Sequence, residues 1–83
     1  MGKGVVWTDS ARSDCRAIDQ RTALDILHGL ARFALRGEGD VKQLQGIDPP
    51  QFRLRVGAYR VRFHDLGNSM EILAVKHRRE AYR

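Results

Sequence analysis

Cysteine is nearly absent: Cys15 stands alone among 83 residues. That count excludes an intrachain disulfide and a thiolate metal cluster, and it fits a reducing compartment, so the cytoplasm is expected. No stretch approaches the ~20 apolar residues of a membrane span, so no membrane contact is expected. Met1 to Trp7 lack the apolar run of a signal peptide. Repeats and low-complexity segments are missing too. His28 has no potential ligand at metal-binding spacing, and neither a metal nor an organic cofactor is expected. A chain this short is expected to form a single domain over residues 1–83. It buries only roughly 60% of its unfolded surface, which leaves a thin stability margin.

Acidic residues are scarce in the second half. Residues 1–48 hold 7 basic and 7 acidic side chains, whereas residues 49–83 hold 8 basic ones against Asp65, Glu71 and Glu80, so the whole net charge of +5 lies there. A one-sided basic excess suits a polyanionic partner, although charge alone equally fits a solvated surface.

The apolar pattern predicts an α+β fold, an antiparallel β-sheet with an N-terminal helical hairpin packed on one face. Val5-Val6-Trp7 forms a β-prone run. Thr8, Asp9 and Ser10 offer capping oxygens for a helix from near Ala11, with Arg12, Asp14, Arg16 and Asp19 on a wet face. A second helix from about Asp19 to Leu35 carries Ala23, Leu24, Leu27, Leu30, Ala31 and Ala34 at helical spacing, widened by Ile26 and Phe33. Gly37 and Gly39 end it. Residues 37–51 read as a connector, since Asp48-Pro49-Pro50 cannot lie inside a helix or central strand, with Leu44 and Ile47 pinning it to the core.

From Phe52 the period becomes two. Phe52, Leu54 and Val56 alternate with Arg53 and Arg55. After the two-residue turn Gly57-Ala58, Tyr59, Val61 and Phe63 alternate with Arg60, Arg62 and His64. Pairing across that turn sets Val56 against Tyr59, Leu54 against Val61 and Phe52 against Phe63. The opposite face then stacks Arg55 on Arg60 and Arg53 on Arg62. Gly67-Asn68 marks another turn, and Met70 to Val75, apolar on both faces at its centre, reads as a central strand. Like charges directly opposite in a sheet repel. In a marginal domain the simplest compensation is an anion bound across them, phosphates or the carboxylates of a protein; splaying into water or pairing with nearby acids is the alternative.

Three segments, Leu44-Gln45-Gly46, Phe52 to Phe63, and His77-Arg78-Arg79-Glu80-Ala81-Tyr82-Arg83, together resemble the RelE/ParE toxins of type II toxin–antitoxin systems. The likeness covers nearly the whole chain, because a strand, two helices and antiparallel strands come in that family's order. Ala58 departs from it, standing where many relatives carry an acidic or polar turn residue.

The resemblance implies a cognate antitoxin as partner, with operator DNA reached only through that antitoxin. It also implies one of two activities, since one fold can carry both. RelE-like members are endoribonucleases that cleave mRNA, usually on the ribosome, by attack of the RNA 2′-hydroxyl on the adjacent phosphate. ParE-like members cleave nothing and inhibit DNA gyrase. A relative that only binds antitoxin is a third reading. Cleavage needs cations against the crowded phosphorane and groups to move two protons. The family's positions for these fall here on Arg53, Arg55, Arg60, Lys76 and Tyr82. His77 has no general counterpart, but imidazoles carry protons near neutral pH. Arg60, Lys76, His77 and Tyr82 are therefore the candidate catalytic residues, and Arg53, Arg55, Arg62, Arg78, Arg79 and Arg83 the candidate RNA-binding ones. Lys76, His77 and Tyr82 favour mRNA cleavage over gyrase inhibition.

Overall fold

The computed structural model describes residues 2–81. The chain runs β1 (Gly4–Trp7), α1 (Asp9–Arg16), α2 (Gln20–Arg36), β2 (Asp40–Leu44), β3 (Gln51–Val56), β4 (Tyr59–Asp65), β5 (Ser69–His77) and a short α3 (Arg78–Ala81). The strands form one sheet in the order β1-β5-β4-β3-β2. The fold is α+β as expected, with one difference: β1 pairs with β5 in parallel, so the sheet is mixed. The two helices between β1 and the hairpins make the crossover that returns the chain to the far edge.

Local chemistry sets each helix. The Thr8 hydroxyl accepts from the Ala11 N–H at 3.2 Å and donates to the Ile72 carbonyl at 2.7 Å, capping α1 and tying it to β5. Asp19, expected on the wet face of α1, instead caps α2 by accepting from the Thr22 N–H. Hydrogen bonding to Thr22, first its side chain and then its N–H, holds the Asp19 carboxyl below the usual range. Gly37, in the left-handed region at φ 70°, closes α2.

The buried stripe of α2 is Ile26, Leu30 and Ala34, flanked by Phe33. It is rotated from the expected one: Leu24 and Leu27 are exposed. A close approach explains the rotation. A Cβ at Gly29 would lie 2.8 Å from a Val56 methyl, so α2 sits down on β3 along its Gly29 side. The core between helices and sheet holds Leu54, Val61, Phe63, Met70, Ile72 and Val75. Phe63 stacks on Phe52 and tilts against Phe33, with both centroid separations 5.7 Å.

The stretch expected to be a connector contains β2, whose Val41 faces Leu54 across the ladder. Neither residue expected to pin it to the core does so: Leu44 is half-buried but on the face opposite Val41, and Ile47 is 38% exposed. The hairpin register matches the expected pairing at all five positions, Val56 with Tyr59 through Phe52 with Phe63. β5 is central, between β1 and β4. Among the described residues no helix is long and apolar enough to cross a membrane.

Leu54 is buried and Arg62 exposed on opposite faces of the same hairpin. Leu54→Ala should therefore lower unfolding stability by about 2–5 kcal/mol in denaturant titration, and Arg62→Ala by well under 1 kcal/mol. The reverse order would contradict the register.

At the sheet's other end Asp65 accepts from Lys3 Nζ at 2.7 Å and from the Gly67 N–H at 3.0 Å. Those bonds, Lys3 first, lower its pKa below the ordinary 3.8. A carboxyl depressed in the folded state adds stability that is present above its unfolded value and is lost as pH falls through the folded one. Acid unfolding of Asp65→Asn should accordingly show a shallower loss below about pH 4 than the parent chain.

Candidate functional site

The helices cover one face of the sheet and leave the other open. Because side chains alternate along each strand, the ladder registers place the open-face residues in rows across the strands. The first row is Asp40, Arg55, Arg60 and Lys76; the second, two residues along, is Lys42, Arg53, Arg62 and Ala74; the third is Leu44, Gln51, His64 and Glu71. Neighbouring strands lie about 4.8 Å apart, so each cationic row packs three basic side chains into roughly 10 Å.

The face is only partly neutralised. Asp40 reaches Arg53 diagonally at 3.7 Å. Arg60, expected on the outer face, is only 8% exposed: its Nη1 curls onto the Gly57 and Tyr59 carbonyls at 3.2 and 3.1 Å, fastening the hairpin turn. Four buried side-chain polar atoms among the described residues lack any partner, namely Gln51 Oε1, Arg53 Nε, Arg60 Nε and His64 Nε2. All four belong to the open-face positions of β3 and β4. An unpaired buried polar group costs about 1–3 kcal/mol.

Lys76 stands directly across from Arg60. Beyond Trp7, β1 ends and leaves the outer edge of β5 uncovered. Asp14, expected on a wet face of α1, closes that edge: one carboxylate oxygen accepts from the Val75 N–H and the other from Lys76 Nζ, both at 3.0 Å. The sequence gives no sign of this contact, because Asp14 and Lys76 meet only once α1 is laid on β5. The Cys15 thiol beside it is pushed above its ordinary pKa by burial and then by the Asp14 charge, so it is held protonated and is a poor nucleophile.

His77 is not beside Lys76. It pairs with Tyr59, on the helix-covered face, and the two rings meet edge-on at 5.3 Å. Its Nδ1 accepts from the Arg79 N–H at 3.2 Å, so it works as a cap for α3. The structure thus joins Arg53, Arg55, Arg60, Arg62 and Lys76 on one face and turns His77 to the other. Arg78 and Arg79 are exposed on α3, while Tyr82 and Arg83 lie outside the described residues. Sequence reasoning missed Lys42, which joins the second row only because residues 40–44 form a strand, and also Asp14, Gln51 and His64. The period-two pattern continuing back to Gln51 and on to His64 was the available signal for the last two. No group of acids, cysteines and histidines among the described residues could hold a metal ion.

The model of the family described as the ParE toxin of type II toxin–antitoxin system, parDE, matches residues 5–82. The chain belongs to this family and is the toxin of a type II toxin–antitoxin system. Solved structures share the fold. A chain of the archaeal RelE–RelB complex from Pyrococcus horikoshii OT3 superposes with a TM-score of 0.74 at 20% identity, over 94% of this chain and 97% of that one. A chain of the RelB–RelE antitoxin–toxin complex from Methanococcus jannaschii gives 0.68 at 22%, over 93% and 94%. One from the toxin–antitoxin complex RelBE2 of Mycobacterium tuberculosis gives 0.61 at 24%, over 93% and 99%. No curated protein matches the sequence.

Asp14 is mostly buried and serves two donors, whereas Lys76 is nearly half exposed. Removing the carboxylate orphans an edge N–H as well as the ammonium. Asp14→Ala should cost about 1–3 kcal/mol, and Lys76→Met less than about 1 kcal/mol, in equilibrium unfolding. Equal costs would mean that the Val75 N–H does not depend on Asp14.

Proposed function

We propose that this toxin is an mRNA endoribonuclease that acts on the ribosome and is neutralised by a cognate antitoxin. The supporting observation is the open face, where two cationic rows lie side by side, one of them carrying Arg60 and Lys76. An RNA strand laid across it places a phosphate against Arg55, Arg60 and Lys76. The 2′-oxygen, giving up its proton, bonds to that phosphorus as the P–O5′ bond breaks and the 5′-oxygen takes up a proton, and the guanidinium and ammonium groups offset the charge gathering on the phosphorane oxygens. Arg53, Arg62 and Lys42 hold the neighbouring phosphate. Tyr82 is the proton-handling group this reading requires, since His77 faces the other way.

The antitoxin has a second surface to cover. Leu24, Leu27 and Leu35 are exposed along α2, and a cleft of about 260 Å³ beside them is lined by Trp7, Arg12, Cys15, Arg16 and Leu27. An acidic, amphipathic antitoxin segment fits apolar surface flanked by arginines, and its binding should weaken with salt.

Gyrase inhibition is the second reading. Two observations favour it: the family is ParE, and His77 turns away from Arg60 and Lys76. Mapping of mRNA 5′ ends after induction, beside a supercoiling assay, separates the two. Cleavage predicts products ending in 2′,3′-cyclic phosphate and no reaction when the scissile 2′-hydroxyl is replaced by hydrogen. Tyr82→Phe and Arg60→Ala should each slow cleavage on the order of 10²–10⁴-fold while antitoxin is still bound. Because Arg60 also fastens the turn, Arg60→Lys and a melting curve control for folding. Intact mRNA with inhibited supercoiling would overturn the nuclease reading.

A further inference from the structure

β2 is an end strand of the sheet: among the described residues β3 pairs with one side of it and no strand pairs with the other. An edge strand offers its unpaired N–H and C=O groups as a template for a further strand. The hairpin fixes which residues offer them. In a two-residue hairpin the pair flanking the turn, here Val56 and Tyr59, exchanges both backbone hydrogen bonds, and bonded and non-bonded pairs then alternate along the ladder. Phe52, Leu54 and Val56 therefore bond to β4, while Gln51, Arg53 and Arg55 turn their backbone groups toward β2. Their partners there are Leu44, Lys42 and Asp40. Val41 and Gln43 are left with both backbone groups aimed away from the sheet.

Charge decides what strand fits there. Outward-pointing residues must meet outward-pointing residues, so two antiparallel copies of β2 can pair only about a two-fold axis centred on one residue. Centring on Asp40 or on Lys42 sets that residue against its own copy, like charge to like charge. Centring on Gln43 or Leu44 sets neither charge against an opposite one. Centring on Val41 is the exception. Val41 then exchanges two backbone hydrogen bonds with its own copy, and Asp40 of each chain lies opposite Lys42 of the other. These are non-bonded positions, about 4.5 Å apart at Cα, where side chains come closest. Both residues are exposed, and Asp40 makes only a 3.7 Å contact with Arg53, so its carboxylate has room for a second cation.

We infer that this chain pairs with a second copy of itself along the outer edge of β2, centred on Val41, joining the two sheets into one. Opposite residues of an antiparallel pair point to the same side, so the two cationic faces become one surface with a pair of Asp40–Lys42 contacts at its seam. A two-fold contact of one edge with itself closes, so assembly stops at two chains. A strand pair this short buries well under the roughly 1,200 Å² of a standard interface, so the association is weak and reversible. The formal charge of +5 on each copy opposes the approach. At physiological ionic strength, however, charges more than about 8 Å apart are largely screened, whereas the Asp40–Lys42 pairs are in contact. The pairing does not depend on what the arginine face binds.

The test is sedimentation equilibrium of the full chain, free of antitoxin, at physiological ionic strength, with amide hydrogen exchange followed by NMR over the same concentrations. The mass should climb with concentration to that of two chains and no further. Exchange at the Val41 and Gln43 amides should slow in step, while that of Lys42, already bonded to β3, should not change. Asp40→Lys and Lys42→Asp should each weaken association by about tenfold or more, since each turns two attractive pairs into repulsive ones. Mixing the two variants should restore it, because opposite charges then face each other again; melting curves confirm that each variant folds. A chain that stays single at every concentration would overturn the inference, as would variants that pair as tightly as the parent, or a mass that grows beyond two chains. If the chain stays single and only added antitoxin protects the Val41 and Gln43 amides, the edge belongs to the antitoxin and self-pairing is refuted.

Discussion

Val56 and Tyr59 face each other across Gly57-Ala58, and that one pairing sets the register on which the rest of the molecule depends. Strand side chains alternate with period two, so a slip of one residue would carry Leu54, Val61 and Phe63 into water and the arginines under α2. Gly57, at φ 57°, supplies the left-handed backbone that a two-residue turn needs. Arg60 then hooks back onto the turn through two carbonyls. Arg60, a member of the cationic face, is thus also a clasp on the hairpin, and it is the buried member of its row for that reason.

The open face carries an electrostatic load that the rest of the domain must bear. Three basic side chains in each of two rows repel one another, and among the described residues only Asp40 and Asp14 reach in from the sheet's two edges. Two kinds of cost follow: mutual repulsion, and desolvated guanidinium nitrogens without partners. The repulsion is the cost that an anion bound across the face, as proposed, would relieve. The same argument applies to an antitoxin that offers carboxylates.

The end of β5 shows how a small sheet manages an edge. β1 covers β5 only as far as Ile72, and the chain then turns into α1. Asp14 takes over where the ladder stops, accepting from Val75 and from Lys76 together. Past that point the strand runs into α3 through His77, whose ring leans on Tyr59 and caps the helix. Adjacent residues of one strand therefore have separate duties, Lys76 on the open face and His77 on the covered one.

The sequence by itself determined the hairpin, its turn, its register and its division into an apolar and an arginine face, because period two is a local property that a few residues express unaided. It also carried the family through the combined hairpin and tail motifs. Tertiary structure decided what depends on distant partners. Residues 40–44 become a strand only because β3 offers them an edge, and Lys42 gains its place in the second row the same way. The buried stripe of α2 was set by the close approach at Gly29, which the apolar pattern does not contain, since that pattern is apolar on two sides. Asp14 found Lys76 across 62 residues of chain. Arg60 was buried, and Gln51 and His64 left with unpaired polar atoms, by packing around them; alternation can say which face a side chain takes, but not whether its polar atoms find partners there.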